Sequence, residues 1–237
     1  MTSTPPAAAA SASTGESGPS QAPLVAIDHP GIDELFALLA YGEVAAFYRL
    51  TEEARMAPNL NGRINMATMA AAEMNHYEVL RDALARRGVD VVPAMARHAS
   101  ALENYHRLTT PSTWLEALVK TFVGDALAAD FYLEIADVMP AEIAEVVRSV
   151  LSETGHSQFV VSEVRAAVTA SDRQRHRLAL WSRRLLGEAI TQAQFVMAEH
   201  DELVDLVMAG GGLSQMTDFF DRLQATHNNR MQQLGLA

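Results

Sequence analysis

Two Glu-x-x-His motifs, Glu73 with His76 and Glu153 with His156, stand 80 residues apart, and each follows a lone carboxylate at a similar interval, Glu43 by 30 residues and Asp125 by 28. On a helix, positions i and i+3 project from one side, so each motif aims a carboxylate and an imidazole at one point. Two such helices and two single carboxylates make a six-ligand site for two metal ions. For 17 Glu and 8 His in 237 residues, chance alone supplies roughly 0.6 Glu-x-x-His pairs. The signal is therefore the repeated arrangement rather than the motif. A third copy, Glu103 with His106, reads as the expected accident, since Thr109, Thr110, Pro111 and Ser112 interrupt its neighbourhood and it has no unclaimed carboxylate about one helix-pair upstream.

Composition narrows the chemistry. With no Cys in the chain, disulfides, thiolate nucleophiles and sulfur-ligated metals are excluded, and the carboxylate and imidazole ligands that remain suit iron or manganese. Four core-facing acids without partners each cost several kcal/mol to bury. No Lys or Arg falls on the predicted inner stripes, so two divalent cations are expected to supply the missing charge. The alternative is a protonated, hydrogen-bonded polar network. A net charge of -11 argues against a protein built chiefly to grip phosphate backbones. Arg173, Arg175, Arg177, Arg183 and Arg184 form a local basic run, and Arg81, Arg86 and Arg87 a smaller one; both read as solvated helix surface.

The elements that must position these residues are helices, because apolar positions recur at helical spacing from Asp28 onward. Residues 1–24, nearly all Ala, Ser, Thr, Pro and Gly, are expected to form a disordered low-complexity tail, and residues 25–237 one helical domain. The tail lacks the basic start and strongly apolar run of a secretory signal, and no apolar stretch is long enough to span a membrane, which points to the cytoplasm. The first helix is predicted over 30–57, with Ile32, Phe36, Leu39, Glu43, Phe47 and Leu50 inward and Glu34 and Glu52 opposite. The second, over 59–87, turns Met66, Met69, Glu73, His76, Tyr77, Leu80 and Leu84 inward and stops at Gly88. Residues 89–111 form a long crossover to a third helix over 113–139, opened by a Thr113/Glu116 capping box. There Asp125 faces inward and Asp130 outward. A fourth helix after Pro140 carries Val146, Val150, Glu153, His156, Val160 and Val164, and Gly155 lies inside its motif.

Two further helices are predicted, over 171–209 and from Ser214. Leu178, Trp181, Leu185, Phe195, Val196 and Leu206 pack the first of them onto the bundle, and Glu188 pairs with Arg184 at the surface. His227 and Arg230 read as packing or capping residues. A faint internal repeat supports two related halves: Gly42 and Glu43 precede VAAFY, and Gly124 and Asp125 precede ALAADFY.

This pattern resembles the ferritin-like di-iron carboxylate proteins, in which two helices each give a Glu and two others each give Glu-x-x-His. Glu43, Glu73, His76, Glu153 and His156 match it, and Asp125 departs by one methylene. More narrowly, YGEVAAFYRLTEEARMAP, AAAEMNHYEVLR, SETGHSQFVVSEV and WSRRLLGEAITQAQ resemble the MiaE-like family, named for tRNA-(2-methylthio-N6-isopentenyladenosine) hydroxylase, over about residues 25–237. The resemblance implies an all-α, ferritin-like four-helix bundle with a long crossover and two added C-terminal helices. It also implies a dioxygen-dependent di-iron hydroxylase with two iron ions, manganese being the alternative. Glu73 and Glu153 would bridge the metals, while Glu43, Asp125, His76 and His156 would be terminal ligands. An external ferredoxin or reductase would provide electrons, and tRNA is the substrate by analogy alone. The sequence leaves a homo-oligomer open.

Competing readings use the same core: iron oxidation or storage, peroxide turnover, or a metal-stabilised interaction module. The rubrerythrin type usually carries a cysteine-ligated iron module, which this chain lacks. Phe36, Phe47, Met66, Met69, Phe122 and Tyr132 are candidates for a channel wall, though such residues are more often plain core. Tyr77, next to His76, is a candidate supporting residue.

Overall fold

A computed structural model describes residues 24–151, 157–209 and 213–237. Helix α1 (Pro30–Glu53) begins with Pro at its first position, while His29 Nδ1 accepts the Gly31 N–H at 3.0 Å. It tightens into a 3-10 turn over Ala54–Met56. Helix α2 (Leu60–Arg86) opens on Asn59, whose side-chain oxygen accepts from Gly62 N at 2.8 Å, and is stopped at Gly88, which takes a φ of 76°. The short link makes α1 and α2 a packed antiparallel hairpin.

The crossover is not open chain. It folds into α3 (Val91–Ala96) and α4 (Ala99–Leu108), which lie against α1. Helix α5 (Trp114–Ala136) carries the predicted cap. Thr113 Oγ1 accepts from Glu116 N at 3.3 Å, and Glu116 Oε2 accepts from Ser112 N at 2.7 Å, one residue earlier than the usual box. The described parts of the predicted fourth helix are α6 (Ala141–Val150) and α7 (Ser157–Ala170). The predicted fifth helix is two, α8 (Asp172–Glu199) and α9 (Asp201–Met208), broken at His200; α10 (Leu213–Leu234) follows.

Packing divides the interior into two apolar halves. One joins the first half of α1 to the end of α2, the end of α5, α6 and α9; Phe36, Leu80, Leu84, Val147 and Leu206 are among its members. The other joins Leu50 to the start of α2, the start of α5, α7, α8 and α10, through Met66, Leu118, Val164, Leu178 and Leu185. Each such large side chain contributes about 1.5–3 kcal/mol by leaving water. Helix α1 passes through both halves with Leu35 to Ala40 all buried, an all-round apolar face that marks a central helix. This corrects the single inner stripe expected for it, because Glu34, predicted to face outward, has a side chain only 13% exposed. Among the described residues, no helix is long and apolar enough to cross a membrane.

Candidate metal centre

Between the two apolar halves α1 and α2 place a charged layer. Glu43 from α1 and Glu73 and His76 from α2 each turn a ligand atom into one space, with all three atoms within 4.8 Å of one another. His76 Nδ1 lies 3.4 Å from Glu43 Oε2 and 3.6 Å from Glu73 Oε2. Helical periodicity alone puts Glu73 and His76 together; the hairpin brings Glu43 to them. Without an ion, the three groups shift one another's protonation. Burial pushes the Glu43 carboxyl well above the usual range, His76 pulls it back, and Glu73 adds to the rise. Burial also opposes ionisation of Glu73, but the combined effect of His76, Glu43 and the Arg49 charge holds it below the usual range. Contact with both carboxylates raises His76 to about 9. One buried and one half-buried carboxylate and an imidazole aimed at one point suit a divalent first-row metal, whose binding would displace protons from them.

Of the other predicted ligands, Asp125 lies on α5 with its side chain outside the described residues, as are Glu153 and His156 altogether. Gly124, the chain neighbour of Asp125, lines a cavity of about 150 Å³ together with Gly42, Glu43, His106, Lys120 and Tyr132. The two glycines of the internal repeat thus open onto the same space. Tyr132 feels the site directly: burial raises its hydroxyl pKa and the Glu43 charge adds to this.

The expectation that no cation accompanies these acids is corrected. Arg49 and Lys120 are both buried. Arg49 Nη1 donates to Glu53 Oε2 at 3.1 Å and to Thr121 Oγ1 at 3.0 Å, and Lys120 Nζ lies 3.7 Å from Glu53 Oε1 and over the Tyr105 ring. Both lie off the predicted stripes and become internal because α4 and α5 pack over that side of α1. The third motif also changes meaning. Glu103 and His106 sit on α4, a real helix, where Glu103 accepts from the Tyr41 hydroxyl at 2.6 Å. Burial, with Arg49 and Lys120 nearby, pushes His106 down to about 2, so it faces the cavity as a neutral ring.

A second cavity of about 150 Å³ shares Leu102, Tyr105, Gly124, Ala128 and Tyr132 with the first and is otherwise lined mainly by apolar residues such as Leu127, Phe131 and Leu186, with Gln192 a polar exception. Three of the five α8 arginines have partners within the chain, while Arg173 and Arg183 are exposed. Arg177 Nε donates to Glu116 at 2.9 Å, Arg175 pairs with Asp172, and Arg184 donates to the Leu108 carbonyl and covers the Trp181 ring, not the predicted Glu188. Arg230 of α10 takes Asp130 with both amino groups, so Asp130 is engaged by α10.

A second cluster was not visible in the sequence: Glu34, His98 and His200 also bring three ligand atoms within 4.8 Å of one another. Their positions span 166 residues of chain, so no local spacing announces them. Burial, and secondarily His200, lowers His98 to about 4.

Comparison with the curated proteins finds no match. A family model described as ferritin-like domain, actinomycetes, matches residues 28–210, a span that contains both clusters and every helix from α1 to α9. The chain belongs to this family of ferritin-like domains.

Proposed function

We propose that the chain is a metal-dependent oxidoreductase of the dioxygen-activating, hydroxylase type, built around a dinuclear iron site. The observation that carries this reading is the convergence of Glu43 with Glu73 and His76 in a largely enclosed layer between two apolar halves. These three form one half of the ligand set. Asp125, Glu153 and His156 form the other, on the strength of the matching spacing in the second half of the sequence. A bound pair of iron ions, or of manganese ions, supplies redox chemistry that no side chain here can perform.

The chain's own part is to hold and enclose. Glu43 and Glu73 offset ionic charge, and their contacts with His76 fix the ring. Tyr132 and Tyr105 stand between the polar cavity and the apolar one, which fits the hydrocarbon part of a substrate and keeps water away from it. Electrons come from a separate ferredoxin-type donor, since the chain has no cysteine with which to hold an iron–sulfur cluster. The largely apolar lining of the second cavity favours a small apolar substrate over tRNA.

A second reading draws support from Arg49 and Lys120: a charged layer balanced by buried cations, in a bundle serving as an interaction module. Anaerobic loading with ferrous iron followed by oxygen separates the two. The oxidoreductase reading expects two irons per chain and visible oxo-bridged ferric absorption. No iron retained after desalting would favour the self-balanced bundle.

A further inference from the structure

We infer that Glu34, His98 and His200 form a second, separate metal site that takes a zinc-class divalent cation through one carboxylate oxygen and two imidazole nitrogens. Glu34 and Glu43 are nine residues apart on α1, about 13 Å along the axis at 1.5 Å per residue, so this site shares no ligand with the charged layer.

The spacing is that of a ligand shell. Two donors at 2.0–2.1 Å from a tetrahedral ion stand about 3.3 Å apart. Glu34 Oε2 lies 3.0 Å from His98 Nε2 and 3.5 Å from His200 Nδ1. Despite these distances, Glu34 Oε2 and His98 Nε2 are buried without a hydrogen bond. Leaving such groups unsatisfied is costly, and an ion between them would satisfy both. The His98 side chain is fully buried, and those of His200 and Glu34 are 11% and 13% exposed, which leaves at most a narrow opening for a water as fourth ligand.

The backbone bears the same mark. Helices α3 and α4 part at His98, and α8 and α9 part at His200, with neither Pro nor Gly at either junction. Both breaks place an imidazole against Glu34, with the two rings 4.3 Å apart and tilted by 39°. Arg97 pairs with the other Glu34 oxygen, which orients the carboxylate while leaving Oε2 for the ion. Its positive charge opposes a cation, and the anionic Glu34 offsets it. An ion here would tie the crossover and the C-terminal helices to α1.

The test uses the full chain, stripped with chelator, carrying Glu73→Gln and His76→Ala to disable the other cluster, with cobalt(II) as the probe and zinc(II) as competitor. One equivalent of cobalt should bind with visible d–d bands and be displaced by zinc. Adding His200→Asn should weaken cobalt binding at least about 100-fold with far-UV circular dichroism unchanged. Glu34→Gln serves the same purpose should His200→Asn lose helicity. The proposal is overturned if the Glu73/His76 variant binds no cobalt, or if a folded His200→Asn or Glu34→Gln variant keeps the same bands and affinity.

Discussion

In the metal-free protein, stability should fall as the pH rises from 6.5 to 9, and His76 should be the main cause. The two carboxylates at 3.4 and 3.6 Å raise His76 from 6.5 to about 9. A base that holds its proton more tightly folded than unfolded stabilises the fold fully below 6.5, and this contribution is gone once the pH passes 9. At 1.36 kcal/mol per pH unit the shift corresponds to about 3 kcal/mol, and the 19% exposure of the ring and the sharing of charge among three groups reduce it to about 2 kcal/mol. Glu43 acts in the same direction, since an acid with a raised pKa loses its contribution as pH climbs above 4.5. Glu73 acts oppositely: its lowered pKa gives stability present above 4.5 and lost as pH falls below that value. Urea unfolding of chelator-treated protein, followed by circular dichroism between pH 6 and 9.5, measures the slope. His76→Gln should remove most of the decline at unchanged m-value. A wild-type curve that is flat or rising over this range, or an equal decline in His76→Gln, would refute the reasoning.

Two other substitutions probe the frame that holds the sites. Gly31→Ala should destabilise by about 1–3 kcal/mol in the same unfolding assay, because its Cβ would lie 2.3 Å from the Glu202 carbonyl oxygen and push α9 off α1; an unchanged midpoint would show that the two helices do not pack this closely. Glu116→Ala should cost about 1–3 kcal/mol, since it frees the Ser112 N–H and the Arg177 guanidinium together, and Arg177→Ala should add little in the double mutant. Full additivity in that cycle would contradict the shared contact.

What the sequence disclosed was local. Pro30, Asn59, Gly88 and the Thr113/Glu116 pair mark helix ends through bonds made within a few residues, and the α2 stripe of Met66, Met69, Glu73, His76 and Leu80 follows from periodicity alone. The joining of Glu43 to His76 was also legible, because one short hairpin brings them together. What depended on distant packing was misread. The breakers Thr109 to Ser112 hid the helix α4 beside them, and without α4 nothing indicated that Arg49, Lys120 and His106 would be covered. Glu34 looked outward because a helical wheel assumes one buried face, whereas α1 is enclosed by α2, α3, α4 and α9. His98 and His200 carried no signal at all until the fold brought them to it.

The most direct measurement of the central claim is anomalous X-ray diffraction from crystals of the protein loaded with ferrous iron. Two iron peaks within about 4 Å of each other, one of them bound by Glu43, Glu73 and His76 and the second reached by Asp125, Glu153 and His156, are the predicted result. A single peak in the charged layer, or iron found only beside Glu34, would contradict it.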